Sequence, residues 1–539
     1  MSSRRFVAIA CFRLRVEIAR ARELELARAC ELEAARTRPL AVVIARTGGP
    51  IKDETSLLGN TRIDEVSPEA WSHGVRPGST IAAARARTAD LDVRVVHAHA
   101  VESTLARLAE MGLGFGATVA FEAGAGGHDT VWIDITGCAH LLASERDPTG
   151  ELTVALAVQQ HVAALGHVAR VAIADGPRVA AALARHAPAP SSLAPIIVPP
   201  GASASEAAMA KLPLRALPLG DASRNWLDKL GAKTVADVAR LPREALGTRL
   251  GEEAAKVLPL VLGRDASPLT PYVPPEAPEE RVEIEYGIEE TSQLLFIAKS
   301  ICDRMGARLA GRCMAATRLE LMLELDRAMT TEGQVPRAAL ALTLAAPLYQ
   351  ATDLLAVLRA RIESYEIAAP IRAVVLRCAD LVARVGTPLD LLAPEPRADR
   401  VLPRLAAELA ADLGTSSVGI LELVSSWIPE NRTQLVPYAE ALKRRPALTL
   451  APNLVSRTCE PTRILTTPLP HHITPHAKDG APIQSSRRRI ARLEAVEWWR
   501  HSGPAVQEVV ASWLEDLGAV AWIEIDRTTP TARLRGWID

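Results

Sequence analysis

The run from His128 to Gly137 carries two aspartates, Asp129 and Asp134, among apolar Val131, Ile133 and Ile135. Carboxylates on a strand could hold divalent cations or move protons, provided that they converge. Side chains alternate along a strand, so positions five apart face opposite ways. Asp129 and Asp134 therefore cannot ligate one metal through this strand alone. Either partners from elsewhere complete a site, or these are acids at the ends of an ordinary sheet strand; the periodicity leaves both open. A glycine-rich run (Gly124, Gly126, Gly127) leads in, and Gly137 closes the stretch.

Other residue groups invite the same question. Arg304, Arg308 and Arg312 lie four apart in a helical pattern, a basic stripe that is either solvated or able to track a phosphate backbone. In Leu230 to Pro242, Thr234 can cap a short helix that Leu241-Pro242 stops, and a second unit runs from Leu246 to Gly263. Paired short helices joined by glycine turns present backbone N–H groups that DNA phosphates accept, which makes Lys233 and Thr234 candidate contacts; a plain helical bundle is the other reading. His471, His472 and His476 share a proline-bearing loop without a clear fourth ligand, so no metal site is expected there. Five of the nine tryptophans fall after residue 490, and Trp498, Trp499 and Trp537 are candidate partner contacts, although packing within a small domain explains most such residues.

The elements that must position these residues follow from periodicity. Phe6–Phe12 reads as a strand, 14–36 as a long helix and 39–45 as a second strand. Ser67-Pro68-Glu69 is a helix start, with serine as N-cap and proline at the first helical position. Strands at 93–97, 118–122 and 169–173 alternate with helices at 102–111, 152–164 and 178–186, the pattern of an α/β or α+β layer. Proline-rich 188–200 and 268–278 read as linkers. Beyond the second comes strand, helix, strand, strand, helix, strand over 281–378, the split βαβ layout. Leu319 to Leu325 alternates strictly, which predicts one buried and one wet face; Glu283, Glu285, Glu320 and Glu324 would make the wet face acidic and repel DNA. The organisation expected is 1–187, 201–266, 280–385, a linker at 386–397 and a C-terminal region at 398–539.

The chain has 539 residues, 48% apolar and 23% charged, with a net charge of −1. That suits several globular domains and gives no global pull toward nucleic acid or anionic membrane, so any such binding must be local. Seven scattered cysteines without a CxxC pair point to a reducing compartment, with neither a disulfide framework nor a zinc site. No segment approaches the ~18 apolar residues of a membrane span, and the Arg-interrupted N-terminus does not make a signal peptide. A cytoplasmic protein is expected, without membrane contact and without a cofactor.

The order of an α/β block, paired small helical units and a split βαβ domain resembles the Y-family translesion DNA polymerases, with their palm and fingers, helix-hairpin-helix-type thumb and little finger. Ala8 to Glu17 aligns with that family's first motif, D-x-D-x-F-Y-x-x-V-E. Ser67-Pro68-Glu69-Ala70-Trp71 is similar to its nucleotide-holding S-Y-E-A-R, and Asp129, Thr130, Ile133 and Asp134 to its S-x-D-E-x-x-L-D. The resemblance implies an α+β multidomain fold and a site in which carboxylates cluster round two divalent metals. Here Ala8 stands for the first acid and Thr130 for the glutamate, which leaves Asp129. Pro68 replaces the tyrosine of the nucleotide clamp, Trp71 its arginine, and Arg13 the aromatic ring that screens the sugar. No lysine occurs between residues 53 and 210. The expectation is a polymerase-like fold with no catalytic residues, its degenerate positions being Ala8, Asp129 and Thr130.

A degenerate member of this family from the bacterial mutagenesis cassette would be an adaptor. The resemblance then implies as partners a sliding clamp (the β subunit), an error-prone C-family DNA polymerase and a RecA-like accessory protein. Pro388, Leu389, Asp390, Leu391 and Leu392 are similar to the clamp-binding form Q-L-x-L-F, with Pro388 and Leu392 in place of glutamine and phenylalanine. Two alternatives stand beside this one. An active polymerase could draw a rearranged metal site from Glu17, Glu122 and Asp134, although strand alternation disfavours Asp134 joining Asp129. A plain DNA-binding repair protein would show strong salt-dependent affinity, whereas the near-neutral charge favours weak DNA binding at most.

Overall fold

A computed structural model describes the chain except residues 1–3, 30–37, 47, 125–128, 189–193, 330–335, 385–396, 424–432, 444–462, 472–487, 495–505, 515–517, 527–530 and 539. It forms two compact units, 1–412 and 413–539.

In the first unit, β1 (Arg5–Cys11) leads into α1 (Leu14–Ala29) and then β2 (Leu40–Ala45), β3 (Glu65–Val66), α2 (Pro68–Ser72), α3 (Ile81–Arg85) and β4 (Asp92–His97). The block ends with α4 (Ala98–Gly112), β5 (Thr118–Glu122), β6 (Asp129–Asp134), α5 (Glu151–Ala164), β7 (Ala169–Asp175), α6 (Pro177–His186) and β8 (Ile196–Ile197). Five strands make one sheet in the order β5-β6-β1-β7-β8; β3, β2 and β4 make a smaller one. β1 is central and antiparallel to both neighbours, with Ala10 opposite Thr130 and Ala8 opposite Trp132 and Ala172.

Alternation along β1 divides two cores. Val7, Ile9 and Cys11 pack with Leu14, Leu105, Leu108, Val154 and Val158 from the helices on one side. Phe6, Ala8 and Ala10 face the other side with Trp132, Ala172 and Ala174, under Val179, Ala180 and Leu183 of α6. Alanines on that face let α6 lie close to the sheet, and Trp132 Nε1 donates to Pro177 O at 2.8 Å across the gap. The end of the expected 188–200 linker is sheet: Ile196 and Ile197 pair in parallel with Ala172 and Ile173. Two apolar β-branched residues there extend the edge of β7 instead of lying in solvent.

A helical cluster follows: α7 (Ala202–Ala210), α8 (Asp221–Lys229), α9 (Val235–Ala239), α10 (Arg243–Leu250) and α11 (Ala254–Val261). Thr234 caps α9 as the sequence suggests, and Asp237 completes a capping box. Gly231 takes φ of +80° in the turn before it, where a side chain would be strained. Met209, Leu227, Val235, Val238 and Val257 join the same core as the alanine face of β1.

The split βαβ layout comes next as β9 (Glu279–Ile288), α12 (Thr291–Gly311), β10 (Met314–Leu325), β11 (Arg337–Leu348), α13 (Ala351–Glu363) and β12 (Ile371–Ala383), with strand order β11-β10-β12-β9. Leu319, Leu321 and Leu323 are buried under α12 and α13, in keeping with their strict alternation. The opposite face is not a bare acidic surface. Arg281 and Arg337 pair with Glu324, and Arg318 and Arg377 with Glu320. Glu324 and Glu320 each find an arginine on an adjacent strand, Arg337 and Arg377, that the expectation left out, and Glu283 pairs with Arg281 of its own strand. Nor is 268–278 a free linker, since Tyr272 N donates to Val119 O at 2.8 Å and its ring packs on Phe121. The helix α14 (Arg397–Leu413) buries Ala407 in the same core as β10.

In the second unit β13 (Gly419–Leu423) and β14 (Thr433–Pro437) form a hairpin with α15 (Tyr438–Lys443) after it. β15 (Arg463–His471), β16 (Arg488–Glu494), β17 (Val506–Leu514), β18 (Ala519–Asp526) and β19 (Thr531–Ile538) build an antiparallel sheet in the order β15-β19-β18-β17-β16. Its small core holds Val510, Ala521, Ile523, Ala532 and Leu534.

Candidate functional site

Asp129 sits at the start of β6 and is wholly buried. One element gives it its partner: Arg15, in the first turn of α1, reaches it with both terminal nitrogens, Nη1 to Oδ2 at 2.5 Å and Nη2 to Oδ1 at 3.1 Å. Arg15 Nη2 also donates to Gly124 O at 3.1 Å, and Gly124 N donates back to Asp129 Oδ1 at 3.2 Å. A second buried acid, Glu65 of β3, lies 3.4 Å from Arg15 Nη1 and accepts from Val16 N at 3.0 Å. Burial pushes the Glu65 carboxyl up to about 7 despite these donors. Cys11, opposite Asp129 on β1, is likewise held as a thiol by burial.

Ala8 and Thr130 occupy the other face of the sheet, under α6, where Arg185 donates to Thr130 Oγ1. Ala8 brings no donor atom to this face, and Thr130 offers one hydroxyl that already accepts a guanidinium. Two-metal chemistry needs several anionic oxygens around each ion. The residues present do not fit that requirement, because the one retained carboxylate is bound in bidentate fashion by an internal cation. The other acids go separate ways. Glu17 meets His167 Nδ1 at 3.1 Å and Asp134 meets Arg4 at 2.6 Å. Burial would raise the Asp134 carboxyl, but Thr136 and Arg4 outweigh it and hold it below the usual range. Asp129 and Asp134 thus serve opposite faces, as alternation requires, and a rearranged set of Glu17, Glu122 and Asp134 does not converge among the described residues.

The positions aligned with the nucleotide-holding motif make contacts within the fold. Ser67 caps α2, Pro68 is its first residue, and Glu69 pairs with Arg20 at 2.6 Å. Trp71, half-exposed, stacks under the guanidinium of Arg76 at 4.0 Å. Arg13 is exposed and Phe12 beside it lies against Arg170.

The expected arginine stripe is not a solvated face. Arg308 Nε donates to Glu110 Oε2 at 2.7 Å and Nη1 to Glu280 Oε1 at 2.9 Å. Arg312 Nε reaches the same Glu110 oxygen at 3.0 Å, and Arg304 Nε reaches Glu280 Oε2 at 3.1 Å. Glu110, on α4, is fully buried; burial would raise its carboxyl, but Arg308 and Arg312 hold it below the ordinary range. No local pattern signals these pairings, because the acids lie some 200 residues before the stripe, or on the preceding strand. Arg308 and Arg312 tie the C-terminal end of α12 to α4, Arg304 ties the helix to β9, and Arg308 and Arg312 are too deeply buried to track a backbone.

In the helical cluster the Thr234 hydroxyl donates to Asp237 at 2.9 Å, while Lys233 is exposed at the tip of the turn. Pro388 to Leu392, Trp498 and Trp499 lie outside the described residues. Trp537 is half-buried on β19 opposite Ala521, and Trp513 is half-exposed on β17. The residue that sequence reasoning missed is Arg15. Its only signal was a cation four residues beyond the end of β1, where the helix begins.

Comparison with known proteins gives this geometry a setting. Residues 19–185 match the impB/mucB/samB family. Protein ImuB of Caulobacter vibrioides, from strain NA1000 / CB15N and from strain ATCC 19089 / CIP 103742 / CB 15, is 33% identical over 249 residues, 46% of this chain and 51% of the relative. The chain therefore spans about half the length of the curated relatives it matches. A solved Dbh ternary complex with partially disordered substrates is similar at a TM-score of 0.37 and 12% identity, covering 69% of this chain and 98% of that one. Asp129 thus lies within the stretch that matches the impB/mucB/samB family, and over about half its length the chain is similar to ImuB.

Proposed function

We propose that the chain is a non-catalytic Y-family polymerase homologue that acts as an adaptor in damage-induced translesion synthesis and mutagenesis. It attaches to the sliding clamp through Pro388 to Leu392 and recruits an error-prone C-family polymerase, with a RecA-like ImuA-type protein as accessory. The observation that carries the first part is the bidentate closure of Asp129 by Arg15, with Ala8 and Thr130 on the opposite face of the sheet supplying no second carboxylate. The clamp assignment is supported by three leucine anchors in the segment directly after the split βαβ domain. DNA contact is weak and comes from the helical cluster near Lys233 and Thr234, and the C-terminal unit with Trp498, Trp499 and Trp537 receives the protein partners. The setting is the cytoplasm during an SOS-type response; among the described residues no helix is long and apolar enough to cross a membrane.

Two measurements test this. Primer extension with magnesium or manganese should give no product above a reaction without the protein, and templated extension that disappears with Asp129→Asn would reject the non-catalytic part. Purified chain should bind its own sliding clamp, and the double variant Leu391→Ala, Leu392→Ala should lose at least about tenfold in affinity, the loss of roughly 1.4 kcal/mol. Equal binding by both proteins would remove that motif from the interface.

A further inference from the structure

The surroundings of Arg15 have the composition of a cation site. Its two terminal nitrogens contact Asp129 Oδ1 and Oδ2, Glu65 Oε2 and Gly124 O, at 2.5 to 3.4 Å. Those four oxygens come from three separate segments, β6, β3 and the chain entering β6. Two carboxylates and a carbonyl are the donor types that hard divalent cations take. The guanidinium does not use its full fork, since Nε is buried without an acceptor. The oxygens crowd the far end of the side chain, as they would round a point charge, and one donor is left unsatisfied at a cost.

We infer that Arg15 is a tethered cation: it occupies an oxygen cradle that would otherwise bind a divalent metal ion, and it makes the joint between β3 and β6 independent of metal. The chain delivers this charge from the first turn of α1, so it cannot dissociate or be competed away by soluble ions. Removing it leaves two buried carboxylates without a counter-ion, and a soluble cation is the natural replacement.

The test uses the full chain and manganese as the probe. Wild type should show the same thermal unfolding midpoint with millimolar manganese as with chelator. Arg15→Ala should unfold at lower temperature in chelator, and manganese should raise its midpoint, with one ion bound per chain by electron paramagnetic resonance. Manganese affinity should exceed that of wild type by on the order of tenfold or more. Adding Asp129→Asn to Arg15→Ala should abolish that gain. Arg15→Lys keeps the charge and should remain insensitive to manganese, which separates a lost cation from a lost fork. A variant that is unfolded in chelator and folds with manganese supports the inference as strongly. Asp129-dependent manganese binding by wild type, a response of Arg15→Lys equal to that of Arg15→Ala, or no response of Arg15→Ala whether folded or not, overturns it.

Discussion

At the scale of single residues, charge is placed where burial makes it consequential. Glu65 is the clearest case, with its carboxyl pushed to about 7 by burial from an ordinary 4.5. The folded chain then holds a proton that the unfolded chain has released between about pH 4.5 and 7. Stability contributed by this site is present below 4.5 and declines as pH rises through that window, by about 3 kcal/mol for a difference of this size. Glu65→Gln should remove this slope and leave a protein more stable than wild type above pH 7; urea unfolding at pH 5, 6, 7 and 8 checks it. Trp132 shows the opposite economy, one indole N–H satisfied by Pro177 O so that a large ring can sit between sheet and α6.

At the scale of elements, small devices fix short helices and close approaches. The helix α9 has five residues, too few to form alone, and its capping box satisfies the first-turn N–H groups that such a helix leaves open. Thr234→Ala should cost about 1 kcal/mol in chemical denaturation without altering the fold. Gly311 matters through contact: a Cβ there would stand 2.1 Å from Glu110 O, where α12 ends against α4. Gly311→Val should therefore destabilise the first unit by more than about 2 kcal/mol, because backbone rather than a movable side chain stands in the way. A variant as stable as wild type would mean that α12 does not meet α4 in this way.

At the scale of the molecule, the first unit is held together by ion pairs at depth. Glu110 and Glu280 gather Arg304, Arg308 and Arg312, together with Arg107, into one buried network between α4, β9 and α12. Removing one partner from such a network strands a buried charge, so Arg308→Met should cost about 3–5 kcal/mol in urea unfolding. The same substitution should leave DNA affinity unchanged in fluorescence anisotropy. A drop in DNA affinity with unaltered stability would return the stripe to the nucleic-acid surface. Because Glu320 and Glu324 are paired as well, DNA binding should weaken only gently with salt, with few phosphates neutralised.

The sequence alone determined what depends on short-range pattern. Alternation gave the faces of β6 and β10, Ser67-Pro68 and Thr234 marked helix starts, and the order of strands and helices after residue 280 predicted the split βαβ layout. The motif resemblance singled out Ala8, Asp129 and Thr130, since it reads residue types in line. Only the tertiary structure decided where the charges go. A guanidinium reaches any acid that folding brings within a few ångströms, and the partners of Arg15, Arg308 and Arg312 lie between some 30 and 200 residues away along the chain. The same holds for Ile196-Ile197 and Tyr272, which read as linker because their local composition is proline-rich, yet are drawn into the sheet by open backbone groups on β7 and β5. Spacing specifies which face a residue takes; what it meets there is fixed by packing.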